Sequence, residues 1–72
     1  MGENNETVRR VIRDKRTGRY LTDSGQWTTE LAEAQQLPNV LAAVRLSRTL
    51  SLQEAELVLK FEGDRYDVRL DL

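Results

Sequence analysis

Apolar and polar residues alternate with a period of two from Glu56 onward, apart from Val58, which is typical of β-strands with one buried face. Gly63 and Asp64 interrupt the alternation, and such a pair between two alternating stretches predicts a hairpin with a two-residue turn. The apolar set on one side of the hairpin is Leu57, Leu59, Phe61, Tyr66, Val68, Leu70 and Leu72. The pattern therefore predicts an antiparallel pair formed by residues 56–62 and 65–72.

The turn at residues 63–64 predicts a register in which the numbers of paired residues add up to 127. The apolar pairs are then Phe61 with Tyr66, Leu59 with Val68, and Leu57 with Leu70. On the other face the pairs are Lys60 with Asp67, Glu62 with Arg65, and Glu56 with Asp71. Only the last pair places like charges opposite each other. A slip of one residue would turn the apolar set outward, so the pattern specifies this register.

Residues 39–50 carry the clearest helical pattern in the chain. Asn39 follows Pro38 and is a favourable N-cap residue. A helix turns by about 100° per residue, and at this rotation the positions expected to face the sheet lie on one broad arc. They are Val40, Leu41, Ala43, Val44, Leu46, Ser47 and Leu50. Arg45 and Thr49 mark the opposite, solvent-facing stripe. The pattern predicts an amphipathic helix that packs on a sheet.

The N-terminal part of the chain predicts another hairpin, which is the first in chain order, so the hairpin at residues 56–72 is the second. Residues 7–13 and 19–22 are rich in strand-forming types, and the loop between them ends at Gly18. Glycine adopts positive φ without steric cost, which suits the end of a short hairpin loop. The sequence Asp23-Ser24-Gly25 predicts a further turn, which Trp27 follows.

Two connecting segments allow more than one interpretation. In residues 28–37 a three-residue spacing of apolar positions fits a short helix capped by Thr28 or Thr29. A loop with a short strand fits the same residues nearly as well. Ser51 and Glu54 have the spacing of a capping box, which is compatible with one helical turn starting at Ser51.

These elements together predict an α+β fold, in which an antiparallel sheet of about four strands carries one main helix on one face. The length of 72 residues suits one domain and excludes two. Residues 1–6 are polar and are expected to form a disordered tail, so the domain covers residues 7–72. The absence of a signal-like leader and of a long apolar run favours a cytoplasmic protein without membrane contact.

The composition argues against most catalytic chemistry. The chain has no Cys and no His, which excludes disulfides, metal sites built from those residues, and the usual base of a nucleophilic site. The glycine patterns that cradle phosphates are also missing. We therefore expect no catalytic residue, no cofactor and no metal, and a protein that is not an enzyme.

Charge is distributed unevenly, although the formal net charge is only −1. Residues 8–20 contain six cations and one anion, whereas residues 21–72 contain five cations and nine anions. The candidate contacts with nucleic acid or a protein partner are Arg9, Arg10, Arg13, Lys15, Arg16, Arg19, Tyr20 and Trp27. The alternative, which the acidic balance of the whole chain favours, is that the two aromatic residues fill a small core rimmed by arginine stems.

A short pattern of glycines and aromatic residues precedes the predicted helix, and it consists of Gly18-Arg19-Tyr20-Leu21, Gly25-Gln26-Trp27-Thr28, Ala34 and Leu37-Pro38-Asn39. This pattern resembles one in short uncharacterised bacterial and phage-encoded proteins. The resemblance extends over residues 8–59 and implies a helix on an antiparallel sheet. It implies no activity and no catalytic residue.

We therefore expect a non-catalytic protein-interaction or accessory module. The alternating strand at 65–72 has no proline to block its edge, which favours self-association into a homodimer. The alternative function is weak nucleic-acid binding by the basic hairpin. These two functions predict different surfaces. One continuous arginine face with a central aromatic residue would favour nucleic acid, and carboxylates interleaved among the arginines would disfavour it.

Overall fold

The computed structural model describes residues 8–61 and 67–72. The elements in chain order are β1 (Val8–Asp14), β2 (Tyr20–Leu21), β3 (Trp27–Thr28), a 3₁₀ helix (Leu31–Glu33), α1 (Val40–Thr49), β4 (Ala55–Phe61) and β5 (Val68–Asp71). The strands form one antiparallel sheet in the order β3-β2-β1-β4-β5. The predicted α+β class is confirmed. The strand number is five instead of about four, because β3 adds a short strand.

The centre of the sheet is the long antiparallel pair of β1 and β4, which runs from Val8 opposite Phe61 to Asp14 opposite Ala55. Because side chains alternate along a strand, each pair of facing residues belongs to one of two faces. The helix-side face includes Ile12 and Leu57, which belong to the core that α1 covers. The open face is the opposite side and includes Arg13 opposite Glu56.

The core lies between α1 and the helix-side face of the sheet. Its buried members are Ile12, Leu21, Leu37, Ala43, Ala55 and Leu57. The segment after the 3₁₀ helix closes one side of this core, because the Leu37 N–H donates to the Arg10 carbonyl at 2.8 Å. Val11 and Val58 are also buried, but they face each other on the open face. Their strand neighbours are long charged residues, whose aliphatic stems can shield apolar surface.

Helix α1 begins as the sequence predicts. The Asn39 side-chain oxygen accepts a hydrogen bond from the Ala42 N–H at 2.8 Å, which satisfies one free donor of the first turn. The buried stripe of the helix is narrower than predicted, since only Ala43 and Ser47 are fully buried. Val40, Leu41 and Leu50 are exposed. The cause is that α1 packs mainly on β1 and β4, so the outer parts of its apolar arc lie beyond this contact.

The predicted register of the second hairpin is confirmed where the structure describes both partners. Leu59 pairs with Val68, Leu57 with Leu70, and Glu56 with Asp71. A hydrogen bond of 2.9 Å from Lys60 to Asp67 agrees with the same register. The predicted pairs Phe61 with Tyr66 and Glu62 with Arg65 lie outside the described residues, as does the turn at 63–64.

The first hairpin has the predicted turn. Gly18 has φ of 77°, and the chain reverses so that Arg13 pairs with Tyr20. The Asp14 N–H donates to the Arg19 carbonyl, and the Gly18 N–H donates to the Asp14 carbonyl, each at 2.8 Å. The turn at Gly25 also forms with positive φ, at 84°.

The first uncertain segment contains both predicted alternatives, although the N-cap position of its helix is Glu30, without a side-chain cap, and not Thr28 or Thr29. Residues 28–37 contain a 3₁₀ helix, and Ala34 then forms an isolated bridge with Thr22, so a short helix and an extended segment are both present. The helical turn considered at Ser51 does not form, because Ser51 has φ of 55° and the chain passes through a turn into β4. Across residues 8–61 and 67–72 no helix is long and apolar enough to span a membrane.

Candidate interaction site

The cationic residues of the first hairpin do not form one continuous face. Arg9 and Arg13 lie on the open face with Tyr20, whereas Arg10 pairs with Leu59 and lies on the helix-side face. The remaining cations of the set lie in the turn that joins β1 to β2, and they are Lys15, Arg16 and Arg19.

Carboxylates of the second hairpin interleave with these cations. Arg13 Nη1 contacts Glu56 Oε2 at 2.6 Å, and the Glu56 side chain is only 8% exposed. Lys15 Nζ contacts Asp71 Oδ1 at 3.1 Å. Lys60 on β4 is likewise paired with Asp67. The open face therefore carries charges of both signs. This arrangement is the one that disfavours nucleic-acid binding, because paired carboxylates repel phosphates.

Two aromatic residues expected to fill a core lie elsewhere. Tyr20 is half-buried on the open face, and Trp27 is 37% exposed on the outermost strand β3. Trp27 lines two open surface depressions of about 490 and 260 Å³. The core interpretation is wrong for Trp27, because this residue is exposed and the core under α1 is aliphatic. Tyr20 is not a member of that core either, although it is half-buried. Neither aromatic residue lies at the centre of an arginine face.

Hydrogen bonds at the turn between β1 and β2 shift the pKa values of two ionisable groups. Thr17 Oγ1 donates to Asp14 Oδ2 at 2.8 Å, and this hydrogen bond holds the pKa of the Asp14 carboxyl below its ordinary value of 3.8. The hydrogen bond from Lys15 to Asp71 raises the pKa of Lys15 above 10.5. The second contact joins the first turn to β5 and was not evident from the sequence, since the two residues lie 56 positions apart.

Strand β5 forms one edge of the sheet. Within the described residues no strand pairs with its outer side. The Leu72 N–H donates to the Ala55 carbonyl, so the even-numbered residues Val68 and Leu70 direct their backbone groups toward β4. It follows that the N–H and C=O groups of Arg69 and Asp71 point away from the sheet.

The two faces of β5 carry side chains of different kinds. Val68 and Leu70 lie on the helix-side face and are 41% and 40% exposed. Arg69 and Asp71 lie on the open face, and the Asp71 side chain is 80% exposed. An added antiparallel strand could form hydrogen bonds with the free backbone groups of β5. It could also pack on the apolar side chains of one face and form ion pairs with the charges of the other.

No group of three carboxylates within residues 8–61 and 67–72 is close enough to hold one metal ion. Comparison with protein-family models, with curated proteins and with solved structures finds no match to this chain. The resemblance to short bacterial and phage-encoded proteins therefore stays a prediction. The interaction site rests on the geometry of β5 alone.

Proposed function

We propose that this chain is a non-catalytic protein-interaction module, which receives a strand of its protein partner at the outer edge of β5. The observation that supports this proposal most strongly is the direction of the Arg69 and Asp71 backbone groups, which face away from β4. Strand addition takes its affinity from such groups and its specificity from alternating side chains.

The two edges of the sheet differ in their capacity to pair. The edge strand β3 has two residues, whereas β5 has four. The only proline of the chain is Pro38, so β5 lacks the residue that most directly prevents pairing at an edge. The open face of β5 has one charge of each sign, and the other face has two exposed apolar side chains. This pattern would select a partner strand in which charged and apolar residues alternate.

The weak nucleic-acid-binding function receives less support. Its cations are divided between two faces, and Glu56 and Asp71 pair with two of them. A duplex or single strand would have to displace these pairs or accept nearby anions. Titration of the protein with fluorescent oligonucleotides at low salt and at about 200 mM salt distinguishes the two functions.

A selection experiment tests the proposed function. Random peptides of eight residues displayed on phage are selected on the immobilised protein and then compared on Arg69→Pro, which removes an outward N–H without removing a bond to β4. Arg69→Thr is the matched control, because it removes the same charge and keeps the N–H. Circular dichroism and a thermal melt verify that both variants fold.

We expect the selected peptides to alternate apolar and charged residues. We also expect them to bind Arg69→Pro at least about tenfold more weakly than Arg69→Thr, as the loss of edge hydrogen bonds would cause. Peptides that bind both variants equally would place the interaction elsewhere on the protein. Failure to select any alternating peptide would contradict strand addition at β5.

A further inference from the structure

The charges and apolar residues of β5 complement those of a second β5 strand. We propose that the strand received at this edge is β5 of a second copy of the chain, paired antiparallel about a two-fold axis. This inference rests on the proposed function, because it identifies the partner of the same edge. Two sheets would then join through their β5 strands into one continuous sheet.

Backbone geometry permits only a few registers for this pairing. In a symmetric antiparallel pair, the numbers of opposite residues have a constant sum, and outward-facing residues must meet outward-facing residues. Since Arg69 and Asp71 are the outward-facing residues of β5, the sum must be even. The sums that bring β5 against itself are 136, 138, 140 and 142.

The charges of the residues that face each other distinguish these registers. A sum of 138 places Arg69 opposite Arg69, and a sum of 142 places Asp71 opposite Asp71, so both create like-charge pairs. A sum of 140 places Arg69 of each copy opposite Asp71 of the other, which forms two opposite-charge pairs on the open face. Each of these pairs also exchanges backbone hydrogen bonds.

The register with a sum of 136 would pair Arg69 with Asp67, whose carboxylate is less exposed than that of Asp71. A sum of 136 places Arg69 opposite Asp67, whose Oδ2 already accepts from Lys60 at 2.9 Å and whose side chain is 27% exposed. The Asp71 side chain is 80% exposed, and its contact with Lys15 leaves acceptor positions open. Arg69 has no ion pair with any residue in the described part of the chain.

The apolar face favours the same register. With a sum of 140, Leu70 lies opposite Leu70 of the second copy, and Val68 lies opposite Leu72. Val68 and Leu70 are the two exposed apolar side chains of β5, so the pairing covers both. Four-residue strands bury less surface than a standard interface, and we therefore expect a dissociation constant on the order of 100 µM.

Single cysteines test the register directly, because the natural chain contains none. Leu70→Cys, Arg69→Cys and Val68→Cys report on sums of 140, 138 and 136, respectively. At a sum of 140 the two copies of position 70 form a non-hydrogen-bonded pair, whose Cα separation of about 4.5 Å allows a disulfide. Leu41→Cys, at a position 56% exposed on α1, measures cross-linking by random collision.

In a glutathione redox buffer at about 200 µM protein, we expect Leu70→Cys to give at least about tenfold more disulfide dimer than the other three variants. The concentration is chosen above the expected dissociation constant. More dimer from Val68→Cys or Arg69→Cys would overturn the proposed register. Equal yields from all four variants would overturn pairing through β5.

A charge exchange tests the same pairing without cysteine. Arg69→Asp alone and Asp71→Arg alone each place like charges opposite across the two-fold axis, so we expect sedimentation equilibrium to show about tenfold weaker association. The double variant Arg69→Asp/Asp71→Arg should restore association to within about threefold of the natural chain, because opposite charges face each other again.

Failure of this inference is distinguishable from failure of the proposed function. A natural chain that stays monomeric at several hundred micromolar overturns self-pairing. If selected peptides still discriminate Arg69→Pro from Arg69→Thr in that case, strand addition stands with a different partner. If the chain stays monomeric and the selected peptides bind Arg69→Pro and Arg69→Thr equally, both proposals are wrong.

Discussion

At the scale of single residues, the Glu56 carboxylate is constrained both by burial and by an ion pair. It is almost fully buried on the open face, and Arg13 Nη1 contacts it at 2.6 Å. A buried carboxylate without a cationic partner is costly because its lost hydration is not replaced. Arg13 therefore contributes to the stability of the sheet, and its Nη1 is engaged by Glu56.

We expect Arg13→Met to lower the free energy of unfolding by about 1.5–3 kcal/mol, since it leaves Glu56 without its charged donor. Arg9→Met is the matched control, because Arg9 lies on the same strand and the same face. Its loss should stay below about 0.5 kcal/mol. Urea denaturation at neutral pH measures both, and equal losses would contradict the assigned role of Arg13.

The environment of Asp14, the last residue of β1, predicts a specific pH dependence of stability. Its pKa lies below 3.8 because Thr17 donates to the ionised carboxyl. A carboxyl with a lowered pKa in the folded state stabilises the fold above its unfolded pKa, and the contribution disappears as the pH falls through the lower, folded pKa. The hydrogen bond is therefore expected to add stability at neutral pH and none in strong acid.

We expect a ¹³C-detected NMR titration to show that Thr17→Val raises the pKa of Asp14 toward 3.8. Thr29→Val is the control, because Thr29 is exposed and makes no contribution to the lowered pKa of Asp14, so it should leave the Asp14 titration unchanged. An Asp14 pKa that is the same in the natural chain and in Thr17→Val would show that the threonine hydrogen bond is not the main cause.

At the scale of elements, the two turns contain glycines with similar backbone angles and different surroundings. Gly18 has φ of 77° and Gly25 has φ of 84°. A Cβ atom at Gly18 would lie 3.1 Å from Arg13 Nη2, whereas nothing lies within 4 Å of a Cβ atom at Gly25. Because Glu56 holds the Arg13 side chain, the guanidinium cannot move away freely.

We expect Gly18→Ala to destabilise the protein more than Gly25→Ala. Both substitutions incur the strain of a non-glycine residue at positive φ, which is about 1–2 kcal/mol. Only Gly18→Ala also disturbs the Arg13–Glu56 pair, so its cost should exceed that of Gly25→Ala by about 1 kcal/mol. Thermal unfolding of the two variants provides the comparison, and a larger loss for Gly25→Ala would contradict this explanation.

At the scale of the whole molecule, strand order determines which charges meet. Strand β1 lies between β2 and β4, so the basic first hairpin is in direct contact with the acidic second one. The segment of high positive charge is thereby partly neutralised within the fold. Within the described residues the same order leaves β5 at the edge of the sheet, which is the position that the proposed strand addition requires.

We expect nucleic-acid binding to be weak and sensitive to salt. Fluorescent single- and double-stranded oligonucleotides should bind with a dissociation constant above about 10 µM at low ionic strength, and binding should be undetectable at about 200 mM salt. Arg16→Ala serves as a comparison variant, because Arg16 lies in the exposed turn. Sub-micromolar binding that persists at about 200 mM salt would favour the nucleic-acid function over the interaction module.

Local patterns were sufficient for several elements of the fold. The register of the second hairpin, the Asn39 cap and the positive φ at Gly18 all follow from residues close together in sequence. Each depends on a turn, a cap or an alternation whose physical cause lies within a few residues. The predictions that were wrong, such as a buried Trp27 and a broad buried arc on α1, depended on the size of the neighbouring surface.

The sequence by itself determined the class of fold, the ends of the main helix and the pairing within the second hairpin, because periodicity and turn chemistry act locally. Only the tertiary structure decided that β1 pairs with β4, that Arg13 meets Glu56, and that β5 remains at the edge. These are contacts between residues far apart in the chain. Several strand orders satisfy the same alternation, and the choice among them depends on packing across the whole sheet.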